Sequence, residues 1–270
     1  MTIRIGTSGW SYPSWRGDFY PRRLRHRDEL AYLAERTTSL EINGSFYSLQ
    51  RPSSYGAWRD ATPDDFVLAL KGSRFVTHLK RLRDVETALA NLFASGPLAL
   101  GDKLGPVLWQ LPERIPYDEQ VLGEFLALLP RSTHEAAALA EKHDDRVSGD
   151  RVFTEPGPDR PLRHALEPRS TTFDTDEAAA LLARHRVATV LADAAGRWPA
   201  IDRDTADFRY VRLHGHTELY ASGYSPAHLD AWAGRCREWD ASGQDVYVYF
   251  DNDARGRAPY DAVGLIERLD

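Results

Sequence analysis

A chain of 270 residues, 42% hydrophobic and 27% charged, has enough apolar material for one large core or two small ones. With 34 Lys and Arg against 40 Asp and Glu, the net charge of −6 argues against a protein that coats nucleic acid or anionic membrane through bulk charge. One cysteine, Cys236, excludes an internal disulfide framework and a multi-cysteine metal cluster. The opening Met1-Thr2-Ile3-Arg4-Ile5-Gly6 lacks a basic segment followed by an apolar one, and no apolar run approaches the roughly 20 residues of a membrane span. A cytoplasmic protein without membrane contact is expected.

Short apolar runs bounded by Gly, Pro, Asp or Asn alternate with helical stretches, as strands buried on both faces do. In chain order the strands are expected at 3–7, 39–43, 66–71, 106–110, 163–169, 189–193, 209–214 and 245–251. Helices are expected at 28–36, 85–93, 117–129, 174–186, 226–241 and 259–269. The third carries Val121, Leu122, Phe125, Leu128 and Leu129 at helical spacing before Pro130 stops it. The stretch 194–207 is weakly helical at best. Eight such alternations without a linker point to an α/β fold, a single (β/α)8 barrel of TIM type spanning 1–270, with a doubly wound open sheet as the alternative. Two excursions, 44–63 and 134–161, do not look like separate domains.

In a barrel strand, alternate residues face the helices and the interior. The more aliphatic parity faces out: Val246, Val248 and Phe250, Val211 and Leu213, Leu40 and Ile42, Leu68 and Leu70. The inward parity then carries Ser8, Glu41 and Asn43, Lys71, Gln110, Glu167 and Arg169, Asp193, Arg212 and His214, and Asp251. Polar groups at every strand's carboxyl end are too expensive to bury unpaired. They either pair with one another, as Arg212 with Asp251, or line a wet pocket at the barrel mouth, where barrel active sites lie.

These strand ends also carry a likeness. Ile5-Gly6-Thr7-Ser8-Gly9-Trp10-Ser11-Tyr12, Trp15-Arg16-Gly17, Phe19-Tyr20-Pro21, Glu41-Ile42-Asn43-Gly44-Ser45-Phe46-Tyr47 and Lys71 with Thr77-His78 resemble domain-of-unknown-function family 72, the YecE-like barrels. The likeness resumes at Gly105-Pro106-Val107-Leu108-Trp109-Gln110-Leu111-Pro112, Tyr210-Val211-Arg212-Leu213-His214-Gly215 and Tyr247-Val248-Tyr249-Phe250-Asp251-Asn252-Asp253. The resemblance implies a TIM-type barrel and names no reaction. The family usually reads Glu-Val-Arg-His at the fifth strand end. Here Glu167-Pro168-Arg169-Ser170 stands instead, so that the role of the fourth residue is either lost or taken over elsewhere, by His185 or His216.

Carboxylates beside cations suit proton transfer on a small anionic or sugar-like substrate. Glu41, Glu167, Asp251 and His214 are the candidate catalytic groups. Ser8, Trp10, Asn43, Tyr47, Lys71, Gln110, Arg169, Arg212 and Asn252 are candidate substrate contacts, with Arg169 and Arg212 as anion clamps. No metal ligands and no cofactor are assigned. Two alternatives stay open. One is a metal-dependent phosphodiesterase holding a divalent ion through Glu41, Glu167, Asp193, Asp251 and His214, with His216 two residues on. The other is a non-catalytic module binding a ligand or nucleic acid through aromatic loops and the basic runs 22–27 and 80–83, a reading that the net charge disfavours. Cys236, between Trp232 and Trp239 on a helix, reads as packing.

Overall fold

The computed structural model describes residues 2–270. Eight parallel strands pair in chain order and close: β1 (Ile3–Ser8), β2 (Ser39–Ile42), β3 (Val67–Lys71), β4 (Leu104–Gln110), β5 (His164–Glu167), β6 (Val187–Asp193), β7 (Phe208–Leu213) and β8 (Asp245–Phe250). The closing pair, β1 with β8, runs from Ile3 opposite Val246 to Thr7 opposite Phe250. That pairing excludes the open-sheet alternative.

The expected parity explains how the core is divided. Leu40, Leu68, Val107, Leu166, Val211 and Val248 face outward into the layer beneath the helices. Inside, small residues from one half of the barrel (Ala69, Ala165, Ala188) leave room for large rings from the other (Phe208, Tyr210, Tyr247, Tyr249). At Gly6 the neighbouring strand comes so close that a Cβ would lie 1.8 Å from the Ser39 carbonyl oxygen.

Helices form where the sequence pattern places them, trimmed at their ends: α1 (Glu29–Ala34), α4 (Glu86–Ala94), α5 (Glu119–Leu128), α7 (Asp176–Arg184), α8 (Pro226–Ala241) and α9 (Ala258–Leu269). Asp118, Thr175 and Ser225 cap α5, α7 and α8 by accepting from the backbone N–H of Val121, Ala178 and His228. The excursions hold further helices, α2 (Gly44–Tyr47), α3 (Pro52–Asp60) and α6 (Thr133–Ala140). Between β6 and β7 no helix forms. Ala195 and Gly196 adopt positive φ (51° and 74°), and the chain leaves the sheet as an irregular loop. Among the described residues, no helix is long and apolar enough to cross a membrane.

Candidate active site

Arg212 occupies the centre of the barrel at its carboxyl end, with no solvent exposure. Its Nε and Nη2 donate to the two oxygens of Glu41 (3.1 and 2.9 Å), Nη1 donates to Glu167 Oε2 (2.6 Å), and Nη2 also donates to Asp251 Oδ2 (3.0 Å) and Ser8 Oγ (2.9 Å). Ser8 and Glu41 face each other across the β1–β2 register, so the Ser8 hydroxyl donates to the same carboxylate. Tyr210 donates to Glu41 Oε2 from below (2.7 Å). Both Glu41 oxygens are thus taken up inside the protein. Burial alone would raise the Glu167 carboxyl, but Arg169 and Arg212 hold it well below the usual carboxylate range.

Above this floor Asn43, Arg169 and Tyr220 are half-buried, while His214 and Trp198 stay buried. Arg169 donates from Nε to Glu167 Oε1 (2.8 Å), and its guanidinium lies 3.9 Å over the Trp198 ring. Buried His214 places Nδ1 3.0 Å from Asp251 and Nε2 3.4 Å from Glu167, yet neither approach is aligned as a hydrogen bond. Trp198 and Tyr220 roof the imidazole edge-on. Tyr220 reaches this position with φ of +61°, a conformation that bulky residues rarely adopt. Asn43 donates from Nδ2 to Ser8 Oγ (2.9 Å), and its buried Oδ1 has no partner among the described residues.

Lys71, 8% exposed, sets Nζ 4.5 Å over the Phe46 ring. The nearby carboxylates are committed to Arg212 and Arg169, and among the described residues none comes within salt-bridge distance of this ammonium. Burial and then Arg212 lower its proton affinity. His78, beside Phe46, is pushed down to about 4 by partial burial and by Arg74, Lys71 and Arg169. Cations therefore gather on this side of the mouth. On the other side Asp251 is held low: burial opposes the charge, and Arg212 and His214 outweigh it. Two residues on, Asp253 is pushed up to about 6 by burial and by Asp251.

The expected residues divide accordingly. The structure brings together Ser8, Glu41, Asn43, Lys71, Glu167, Arg169, Arg212, His214 and Asp251, with Gln110 on the inner face, its amide donating to Leu111 O. Arg212 as an anion clamp is corrected: its guanidinium is enclosed by three carboxylates. Asp193 is also corrected. It pairs in register with outward-facing Leu213 and contacts His216, while Ala192 takes the inward place opposite Arg212. Trp10 leans on Trp58 in the outer layer, and Tyr47 is 70% exposed. Asn252 turns away from the mouth to donate to Asp261 in α9 and to Ser222 O. Neither His185, beside Arg131 at the opposite end, nor His216 supplies the missing fourth group. Ser170 instead caps the turn Thr171–Phe173. Trp198 joins the site without having been expected there, and Asp253, which the sequence places near the inward acids, joins it beside Asp251.

Among the described residues no three His, Cys, Asp or Glu side chains are grouped to hold a metal ion. Glu41, Glu167 and Asp251 converge on a guanidinium instead, an arrangement that does not fit the phosphodiesterase alternative. A cleft of about 880 Å³ lies at the amino end, between Leu104, Arg131, Arg163, Asp207 and Tyr247. Its central cation, Arg163, is answered by Asp245 (2.6 Å) and Asp207 (3.0 Å), and that face of a barrel ordinarily serves stability. Burial pushes the Cys236 thiol up to about 12, as suits a packing residue.

Residues 4–270 match the family model described as "Protein of unknown function DUF72". The chain belongs to that family. This DUF72 protein is 30% identical over 129 residues to UPF0759 protein YecE of Escherichia coli (strain K12), an alignment covering 47% of this chain and 44% of YecE. The chain thus matches less than half the length of that curated relative. A DUF72 family protein from Thermotoga maritima MSB8 shares the fold with a TM-score of 0.78 at 24% identity, over 100% of this chain and 99% of that one. D-Psicose 3-epimerase from Clostridium cellulolyticum H10, solved with D-tagatose, gives a TM-score of 0.52 at 11% identity, over 100% and 98% of the two chains. At these identities the DUF72 protein shares a fold with the two solved structures and nothing more is carried over.

Proposed function

We propose that this protein is an enzyme that performs acid/base chemistry on a small anionic or sugar-like molecule bound at the carboxyl end of the barrel. The observation that carries this reading is buried polar capacity left open at that end: among the described residues Asn43 Oδ1 has no partner, and the His214 ring nitrogens meet Asp251 (3.0 Å) and Glu167 (3.4 Å) out of hydrogen-bond alignment. An unpaired buried polar group costs about 1–3 kcal/mol, and a hydroxylated ligand offers the missing partners. The cations beside them, Lys71 and Arg169, suit a phosphate or carboxylate on the same molecule.

Asp251 and Asp253 supply the contrast that acid/base chemistry needs. One is kept ionised by Arg212, and the other, pushed up to about 6, exchanges protons near neutrality. Glu41 and Arg212 act as positioning residues beneath them, since neither has a free direction toward the mouth. The likeness to a sugar epimerase agrees with the architecture, and the reading rests on the side chains.

Ribose 5-phosphate is expected to raise the thermal midpoint more than ribose does. Ligand at 100 times its Kd stabilises by about 2.7 kcal/mol, a rise of a few degrees for a chain of this size. Arg169→Gln should remove most of the rise. An equal rise in the wild type and in Arg169→Gln, or none in the wild type with phosphate- or carboxylate-bearing sugars, would contradict the reading.

A further inference from the structure

Resting on the reading above, we propose that Lys71 is a nucleophile whose Nζ forms an imine with the carbonyl carbon of a small anionic aldehyde or ketone held at the barrel mouth.

Composition gives the first argument. Of the 34 Lys and Arg residues, 30 are Arg. The other three lysines serve ordinary surface roles or none: Lys103 donates to the carbonyls of Arg59 and Thr62, Lys142 pairs with Glu86, and Lys80 follows the turn after β3. A chain that meets nearly every need for positive charge with arginine places lysine on the inner face of a central strand. Arginine holds an anion with a planar fork, so anion binding alone does not call for lysine. Losing a proton and attacking a carbonyl does, because the guanidinium stays protonated.

The surroundings give the second. Arg212 and Arg169 are each gripped by carboxylates, whereas Lys71 has no carboxylate within salt-bridge distance among the described residues. Its Nζ rests on the Phe46 ring, and among the described residues no hydrogen bond ties it down. Desolvation and the neighbouring guanidinium both favour the neutral amine, the reactive form. Of the carboxylates acting on Lys71, Asp251 acts most strongly, and Asp253 follows it by two residues.

The step balances with water as the only by-product. The Nζ lone pair attacks the carbonyl carbon, and the carbonyl π pair moves to oxygen, which takes a proton from a protonated carboxyl at the mouth. The amine proton passes to a mouth carboxylate. The carbinolamine oxygen then leaves as water with a second proton from that carboxylate, and C=N forms. The protonated imine draws electrons from a neighbouring C–H bond, so the adjacent proton can be removed and returned. Water finally hydrolyses the imine.

Reductive trapping tests this. The full chain is incubated near neutral pH with glyoxylate, a small carboxylate-bearing aldehyde, and cyanoborohydride, and modification of the four lysines is quantified by peptide mass. Lys71 is expected to be modified severalfold faster than Lys80, Lys103 or Lys142, since burial and Arg212 lower its proton affinity and enlarge the reactive neutral fraction. Inorganic phosphate should slow modification at Lys71 alone. Equal rates at all four lysines, in a protein that phosphate still stabilises thermally, would overturn the imine and leave the anion site intact. If phosphate gives neither stabilisation nor protection, and Lys71 is modified no faster than the others, both readings fail. Lys71→Arg should retain phosphate binding and give no trapped product at this position. Loss of phosphate binding in that variant, with the fold intact by circular dichroism, would argue for a positioning role and against the imine.

Discussion

Replacing Arg212 with Met is expected to lower stability by about 3–5 kcal/mol or to prevent folding, because it strands buried carboxylates without their counter-ion. Glu41 and Glu167 have no exposure, and Asp251 has 9%. All three accept hydrogen bonds from this one guanidinium. Arg169 still answers Glu167 after the change, and Tyr210 and Ser8 still donate to Glu41. Neither hydroxyl carries charge, so Glu41 suffers most. The companion variant Arg212→Met with Glu41→Gln should therefore recover part of the loss. Urea unfolding near neutral pH, followed by circular dichroism, measures both. A loss below about 1 kcal/mol in the single variant, within the range of an exposed ion pair, would mean that the floor is not held by this charge.

Acidification is expected to destabilise the protein steeply below about pH 4, where unfolded carboxylates take up protons. Glu167 and Asp251 have folded proton affinities below their unfolded ones: burial opposes this, but the cations around them outweigh it. Such groups contribute stability that is fully present above the unfolded pKa and is lost as pH falls through the folded one. Asp253 and Asp261 act with the opposite sign. Burial pushes each up to about 6, so their contribution is present below the unfolded value and lost as pH rises through about 6. Stability should therefore be greatest just above the range in which free carboxylates titrate, with a shallow decline toward neutrality. Urea midpoints taken across pH test the shape, and Asp253→Asn should flatten the decline while leaving the acid limb. Stability that increases below pH 4 would contradict the charge state assigned to the floor.

The strands and most of the floor were legible in the sequence because alternation is a local property, whereas closure, which an open sheet of the same alternation lacks, came only with the pairing of β1 and β8. Where one parity is aliphatic and the other polar, as in Tyr210-Val211-Arg212-Leu213-His214, the strand has one way to face, and the structure agrees. β6 misled because neither parity is clearly polar: its only polar residues, Thr189 and the terminal Asp193, share a face with Val187 and Leu191. Side-chain volume held the usable signal. Ala188 and Ala192 are small and face the crowded interior, whereas Val187 and Leu191 face the helices.

Asn252 was misplaced for a related reason, since it continues the outward parity of Phe250 and braces α9. Trp198 had no signal of its own. It lies on an irregular loop, and only the small Ala192 beneath it lets the indole settle under Arg169. The charge network was partly legible: the Arg212–Asp251 pair was expected, but not that Arg212 would also draw in Glu41 and Glu167. That outcome depends on four strands meeting at one point.

The most direct test of where this DUF72 protein binds is a titration with ribose 5-phosphate followed through arginine side-chain Nε–H resonances. The signals are identified by their loss in Arg169→Lys and Arg163→Lys. The expected result is a saturable shift of the Arg169 resonance, which lies over Trp198 at the mouth, with the Arg163 resonance unmoved in its pairs with Asp207 and Asp245. A saturable shift of Arg163 with Arg169 unmoved would place the site in the cleft at the amino end and contradict the assignment of the mouth.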